Sequence, residues 1–325
     1  MTSTFFGRMR PRAIATLVFA GAITCTTVSV VPAATAATTA PAQSDGARGK
    51  CSLLSQVPKR RTIYGASIST SGISLEDSIR LEDRRLGRLP IVRLFDPDVP
   101  PRDAWSRRKP VIGSRQIVAS FRPPPRKILS GKYDEQIRSW FRNAPRGRHI
   151  YWSYYHEPER DIDSGNFTSK QHRRAWRRIA RIAAKTCNPK LHSTLILTGW
   201  TAEPKANRKW GDYWPGKRFV DVVGFDPYNS ASQRPKRYVR PAKLFRPVVR
   251  LAKKMGKPFA IAETGTQLIR GDESGKGRAR WLRRMARYFE RHNAVFVTYF
   301  QSDHKFDYRL LDRPSKRAWR KFVTR

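Results

Sequence analysis

Cysteine is scarce in this chain, three in 325 residues, and acids are few, 25 against 66 Lys and Arg. Three cysteines exclude a disulfide-knit scaffold. With six scattered histidines and no His-x-x-x-His pair they also leave no zinc-binding set, so neither a metal nor a cofactor is expected. The glycine trio of a dinucleotide-binding turn is missing, since Gly65 stands alone after the first apolar run. Gly271 to Gly277 has the look of a phosphate-binding loop, but its spacing is one residue short and Gly277 stands where Ser or Thr belongs, so it reads as a mobile loop. No glycine-flanked serine marks a nucleophile elbow, and Asp161 and Asp163 fit no calcium-loop template. The shortage of acid leaves a formal charge of +41, which argues against a self-contained cytosolic metabolic enzyme and for a polyanion close at hand.

What is present begins with a leader. Arg8, Arg10 and Arg12 precede an apolar run from about Ala13 to Val31, and Ala34-Thr35-Ala36 has the small-x-small form of a signal peptidase site. Residues 1–36 therefore read as a secretory signal peptide, and Thr24, Thr26, Thr27 and Ser29 count against a membrane anchor. An extracellular protein, with association to a cell wall as one expected setting, is the product of this leader. Its removal takes Cys25 away and leaves Cys51 and Cys187, either as one disulfide or as two buried thiols; an oxidising environment makes the bridge the natural count. Residues 37–61 form a tether and lead-in, polar and patternless as far as Lys50.

From Thr62 onward short apolar runs alternate with longer amphipathic stretches, the mark of an α/β fold with a parallel sheet. Eight runs are visible: Thr62–Ile68, Ile91–Asp96, Gln116–Phe121, His149–His156, His192–Gly199, Phe219–Phe225, Pro258–Ala262 and Ala294–Phe300. Between them Trp176, Ile179, Ala180, Ala183 and Ala184 recur at helical spacing, with Arg173, Arg174, Arg177, Arg178 and Arg181 on the other side. Leu244, Val248, Leu251 and Met255 repeat that spacing, as do Trp281, Leu282, Met285 and Phe289. The second and fifth connections look weakly helical, and after the third run the Pro-rich stretch Arg122–Arg126 delays any helix until past Lys132. Eight such units over residues 62–325 match the size of a single (β/α)8 TIM barrel, about 250 residues.

In such a barrel the reactive groups stand at the C-terminal ends of strands. Run four ends in Tyr154-Tyr155-His156-Glu157-Pro158-Glu159 and run seven in Ala262-Glu263-Thr264-Gly265, so two apolar strands each deliver a glutamate to the rim. Paired carboxyls at a barrel mouth are what glycoside hydrolysis requires, one protonated as acid and one ionised. Trp152, Tyr154 and Tyr155 are expected to desolvate Glu157 and keep it protonated, while Glu263 needs hydrogen-bond donors around it.

The sequence resembles the clan of retaining glycoside hydrolases with (β/α)8 barrels, and within it family 26, which includes β-mannanases. The resemblance is carried by His156-Glu157-Pro158, by Ala262-Glu263-Thr264-Gly265 and by Val220-Asp221-Val222-Val223-Gly224-Phe225-Asp226-Pro227-Tyr228. It implies that Glu157 is the acid/base, Glu263 the nucleophile and Tyr228 the group that orients the nucleophile, with His156 lining the same subsite. Arg93, in Val92-Arg93-Leu94-Phe95-Asp96, is placed like the strand-two arginine that keeps the nucleophile ionised in many members of the clan. Pro158-Glu159-Arg160-Asp161 departs from the Met and Trp-rich segment of typical family mannanases, which puts mannan in question.

Sugar rings stack on aromatic faces, and Trp200 together with Tyr299 or Phe300 are the candidate platforms, with Trp210 and Trp214 a second pair. A polysaccharide is thus the expected substrate, an anionic cell-wall polymer a further partner, and a monomer the expected state, with no nucleic acid and no stable membrane insertion. The alternative is a secreted barrel that binds acidic polysaccharide without cleaving it. Of the basic residues 46 are Arg and 20 are Lys, many on the polar helix faces, a distribution that genome composition also produces.

Overall fold

The structure is a computed structural model that describes residues 51–325; the leader, the tether up to residue 50 and Cys25 lie outside the described residues. Eight parallel strands close into a barrel in sequence order. They are β1 (Ile63–Ser67), β2 (Ile91–Asp96), β3 (Gln116–Phe121), β4 (Ile150–Tyr154), β5 (Leu191–Thr198), β6 (Val222–Asp226), β7 (Phe259–Thr264) and β8 (Phe296–Tyr299). Around them run α1 (Leu75–Leu86), α2 (Ala104–Ile112), α3 (Pro125–Leu129), α4 (Asp134–Arg142), α5 (Glu159–Asp163), α6 (Ser169–Ala184), α7 (Pro241–Met255), α8 (Lys276–Arg291) and α9 (Arg313–Val323). The architecture is the (β/α)8 barrel that the alternation of runs implies. Among the described residues no helix is long and apolar enough to cross a membrane.

Side chains alternate between two cores, as strand geometry dictates. Ile91, Val118, Tyr151, Ile196, Val222, Ala260 and Phe296 fill the barrel interior. Their neighbours Val92, Ile117, Trp152, Leu197, Val223, Ile261 and Val297 face the helices in the larger outer core. There α6, opened by a capping box between Thr168 and Gln171, buries Trp176, whose ring stacks on Trp152 at 5.5 Å. The weakest connections behave as their sequences suggest: α2 carries Pro110 inside it, and β5 is followed by four short 3-10 turns between Gly199 and Phe219.

Two expectations are corrected here. The segment after β3 does not wait for Lys132: α3 starts at Pro125, because proline at the first helical position lacks only an N–H that has no partner there anyway. Gly271–Gly277 is no loose loop either. Asp272 is buried, accepts from Gly277 N (2.8 Å), Arg278 N (2.8 Å) and Tyr238 Oη (2.6 Å), and so caps α8 and ties it to the loop after β6.

The barrel bottom is closed by the lead-in. Cys51 is joined to Cys187 by a disulfide. Ser55 N donates to Asp221 Oδ1 at 2.8 Å, and Ser55 Oγ meets His192 Nδ1, whose other nitrogen lies 2.7 Å from His149 Nδ1. Burial lowers the pKa of His192 to about 3, so the imidazole is neutral in this stack.

Gly65 marks the tightest approach between strands. A Cβ there would lie 1.9 Å from the carbonyl oxygen of Ile91, a backbone atom that cannot swing away. Gly65→Ala is expected to cost about 3 kcal/mol or more of stability, the upper range of overpacking effects, read from the urea midpoint. An unchanged midpoint would contradict this packing.

Candidate active site

At the C-terminal ends of the strands a cleft of about 1330 Å³ opens, and Glu157 and Glu263 both line it together with His156, Asp226 and Tyr228. Neither glutamate arrives by plain strand geometry. Regular alternation on β7 would turn residue 263 outward. The pairing of β7 with β8 is irregular between Ile261 and Thr264, and this bulge re-aims the strand end. Thr264 then faces α8, near Met285 Sδ, while Glu263 faces the cleft. At the end of β4, Tyr155 and Glu157 both take left-handed backbone conformations (φ 49° and 50°), costly for such residues and fixed by Tyr155 N donating to Phe121 O and Glu157 N donating to Ile196 O.

Glu263 is held from two sides. Arg93, fully buried on β2, donates through Nε (3.0 Å) and Nη2 (2.9 Å) to Glu263 Oε1. Tyr228 Oη donates to Glu263 Oε2 at 2.6 Å. Burial works against the charge of Arg93, but Glu263 and Asp226 outweigh it and hold the guanidinium above its usual range. Burial, then Glu263 and Asp226, push the Tyr228 phenol far up, so it keeps the proton it donates.

Two further carboxyls surround this pair. Burial first, then repulsion from Glu263 and Glu159, raises Glu157 to about 8, so it carries a proton at neutral pH. Asp226 lies 3.7 Å from Arg93 Nη2 and is pushed well up by burial and by Glu263. Burial and mutual repulsion thus push Glu157 and Asp226 toward their neutral forms beside the guanidinium that binds Glu263. His156 is driven well below its usual range by burial, Arg93 and Arg122; it stands as a neutral imidazole 5.5 Å from the Phe95 ring.

The residues picked out from sequence do not all meet here. Arg93, His156, Glu157, Tyr228 and Glu263 converge, and Trp200 stands in the cleft wall, 46% exposed, with Lys205 Nζ 5.1 Å from its ring centroid. Tyr299 does not: it is wholly buried on the outward parity of β8, 5.6 Å from Trp319, and its hydroxyl donates to Tyr308 O. Phe300, one residue on, lines the cleft instead. Trp210 and Trp214 pack edge to face against each other outside the cleft lining. Trp152 and Tyr154 also point outward, into the α6 layer, where they stack on Trp176 and His172.

Three participants were missed. Asp226 ends β6 as Glu157 and Glu263 end theirs, and the same strand-end test would have found it. Phe95 gives the cleft an exposed aromatic face, with Arg93 Cζ 4.6 Å from its ring centroid. Glu159 is buried, accepting from Thr198 N (2.8 Å), Thr198 Oγ1 (3.0 Å) and Thr201 Oγ1 (2.6 Å), and so fixes the turn that bears Trp200. Asp161 and Asp163 are engaged by Arg122 (2.8 Å) and Arg208 (2.6 Å), both lining the cleft.

Comparison with models of known protein families finds no match, and no curated protein sequence matches significantly. Solved structures do match. A family 26 β-mannanase from Bacteroides ovatus aligns at 14% identity over 81% of this chain and 88% of its own, with a TM-score of 0.53. The catalytic domain of a family 26 endo-β-1,4-mannanase from Bacillus sp. JAMB-750 aligns at 11% over 82% and 86%, TM-score 0.56. A glucosidase from Croceicoccus marinus aligns at 13% over 84% and 69%, TM-score 0.57. The likeness is one of fold. The chain shares the barrel of family 26 glycoside hydrolases, as the strand-end motifs suggest.

Two predictions follow from the geometry. Arg93→Met strands Glu263 and Asp226 without their cation and should cost about 3–5 kcal/mol in a urea melt, the usual penalty for breaking a buried pair; a loss below about 1 kcal/mol would contradict the pairing. Because the pKa of Glu157 is raised on folding, the folded state binds the extra proton between the ordinary carboxyl range and about 8. The associated stability is full at low pH and lost as pH rises through that window. Glu157→Gln should therefore flatten the fall in urea midpoint between about pH 5 and about pH 9, and an unaltered slope would refute the raised pKa.

Proposed function

We propose that the chain is a glycoside hydrolase that cleaves a β-linked polysaccharide with retention of anomeric configuration. The observation that carries this reading is the pairing, in one cleft, of a protonated Glu157 with a Glu263 fixed by Arg93 and Tyr228. Glu263 Oε1 is occupied by Arg93 and Oε2 by Tyr228, which fixes the carboxylate in orientation for attack on the anomeric carbon. Glu157 gives its proton to the departing glycosidic oxygen. It then takes one from the water that opens the glycosyl-enzyme ester, which frees Glu263 and restores the acid.

Phe95, Trp200 and Phe300 offer apolar faces along the cleft to sugar rings. The structures of similar fold include β-mannanases, which supports a β-linked substrate. Mannan itself is not part of the proposal, because the departing segment Pro158–Asp161 opens α5 and turns Glu159 inward to Thr198 and Thr201. A secreted protein is part of the proposal, supported by the leader pattern of residues 1–36 and by the Cys51–Cys187 disulfide.

Reducing-sugar release from mannans, xylans, glucans and uronic-acid polymers tests the reading, with Glu157→Gln and Glu263→Ala alongside. Loss of at least about 10³-fold in kcat for both variants is expected, and NMR of the first-formed product should show the anomer of the substrate. Release that survives both substitutions, or an inverted product, would overturn it.

A further inference from the structure

The outer surface carries a second feature, remote in chemistry from the carboxyl cluster. Between α8 and α9 runs a trough of about 540 Å³ walled by Lys276, Arg280, Arg283, Arg313, Arg317 and Lys321. None of these six side chains makes a salt bridge or a side-chain hydrogen bond to another described residue. Some arginines elsewhere are paired: Arg85, Arg108, Arg115, Arg122, Arg178, Arg208 and Arg278 each hold a carboxylate, whereas exposed ones such as Arg142 and Arg174 hold none and are not gathered into a trough. Between them α8 and α9 carry a single acid, Glu290, and it is taken by Arg325. The nearby Asp272 and Asp312 are committed to capping α8 and α9. Here, then, positive charge is collected with no carboxylate in a salt bridge to it, Asp272 acting on Arg280 only through its field.

Its layout is regular. Both helices follow strands of a parallel barrel, so both start at the rim that bears the cleft and run down the barrel wall side by side. At 1.5 Å per residue, Lys276, Arg280 and Arg283 form one row with steps of about 6 and about 4.5 Å, and Arg313, Arg317 and Lys321 a second with steps of about 6 Å. Two packed helices lie about 8–10 Å apart from axis to axis, so the two rows border a shallow groove along which one extended polymer strand can lie. The floor between them is Ala279, Pro314 and Ala318.

We propose that this trough binds an anionic polysaccharide with one carboxylate per sugar, a polyuronate. Guanidinium groups pair carboxylates in two-pronged fashion, and two rows repeating every turn suit a ligand whose charge repeats along a chain. The floor has no aromatic on which the bases of a single-stranded nucleic acid could stack. A lipid surface would need apolar anchors, and of the large exposed apolar side chains described only Leu311 is near α9. The site uses neither Glu157 nor Glu263 and is independent of the hydrolase reading.

The test is binding of polygalacturonate to the full mature chain bearing Glu157→Gln, which leaves the polymer intact, measured by calorimetry across a salt series. Arg280→Ser/Arg283→Ser/Arg317→Ser added to it should weaken binding at 0.15 M salt by about tenfold or more and make the salt dependence shallower. Lys170→Ser/Arg174→Ser/Arg142→Ser removes the same charge from exposed sites on α4 and α6 and should change affinity less than about twofold. Equal losses in the two triple variants would overturn the proposal in favour of diffuse net charge. Duplex DNA held through the trough while polygalacturonate is not would overturn it in favour of nucleic acid.

Discussion

Everything at the mouth of this barrel depends on one buried cation. Arg93 sits on β2 with no exposure to solvent, and its guanidinium reaches Glu263 on β7 and the carboxyl of Asp226 on β6. Removing a guanidinium from water is costly and is tolerated only where anions answer it. The carboxyl groups that answer it come from across the barrel, so the interaction exists only once the barrel has closed. Closure and site formation are for that reason one event. Tyr228 and the protonated Glu157 then follow as consequences, the first because Glu263 has a second oxygen to satisfy, the second because no further negative charge is tolerated there.

The cleft is assembled from departures from regularity. Along most of each strand, alternation serves the two cores, and Tyr151, Val118 and Ile91 occupy positions that any such barrel would fill with apolar bulk. At the upper ends the alternation is broken: β7 bulges, and β4 ends in two left-handed residues. Such features are unfavourable in isolation and are held by the surrounding ladder, here by hydrogen bonds from Tyr155 N and Glu157 N to the neighbouring strands β3 and β5.

The barrel was legible because the runs of β-branched and aromatic residues and the spacing of Trp176, Leu251 or Met285 report burial directly. The two glutamates were legible because they occur together, each at the end of an apolar strand; Tyr228 was legible only through the family resemblance carried by its motif. Tyr299 misled for a matter of parity. A one-residue shift decides whether an aromatic at a strand end enters the cleft or the helix layer, and composition does not contain that shift. Trp152 and Tyr154 misled in the same way. Asp226 has the same strand-end placement as the glutamates, but its relation to Arg93 joins strands far apart in sequence, which no local motif reports. Proline after β3 was read as a helix breaker where it opens a helix, an ambiguity that only the position of its ring within the first turn resolves.

The bulge in β7 has a wider meaning for this strand. Below it, at Phe259, Ala260 and Ile261, each residue answers to packing, with even numbers inside the barrel and odd numbers under the helices. Above it the assignment is exchanged, and an odd position, Glu263, turns its carboxyl into the cleft. One strand is therefore written in two frames, and the same substitution two residues apart falls under different laws, volume in the lower frame and charge in the upper. A short loop could not impose so abrupt a change of grammar; a hydrogen-bonded ladder can, because it fixes both halves at once.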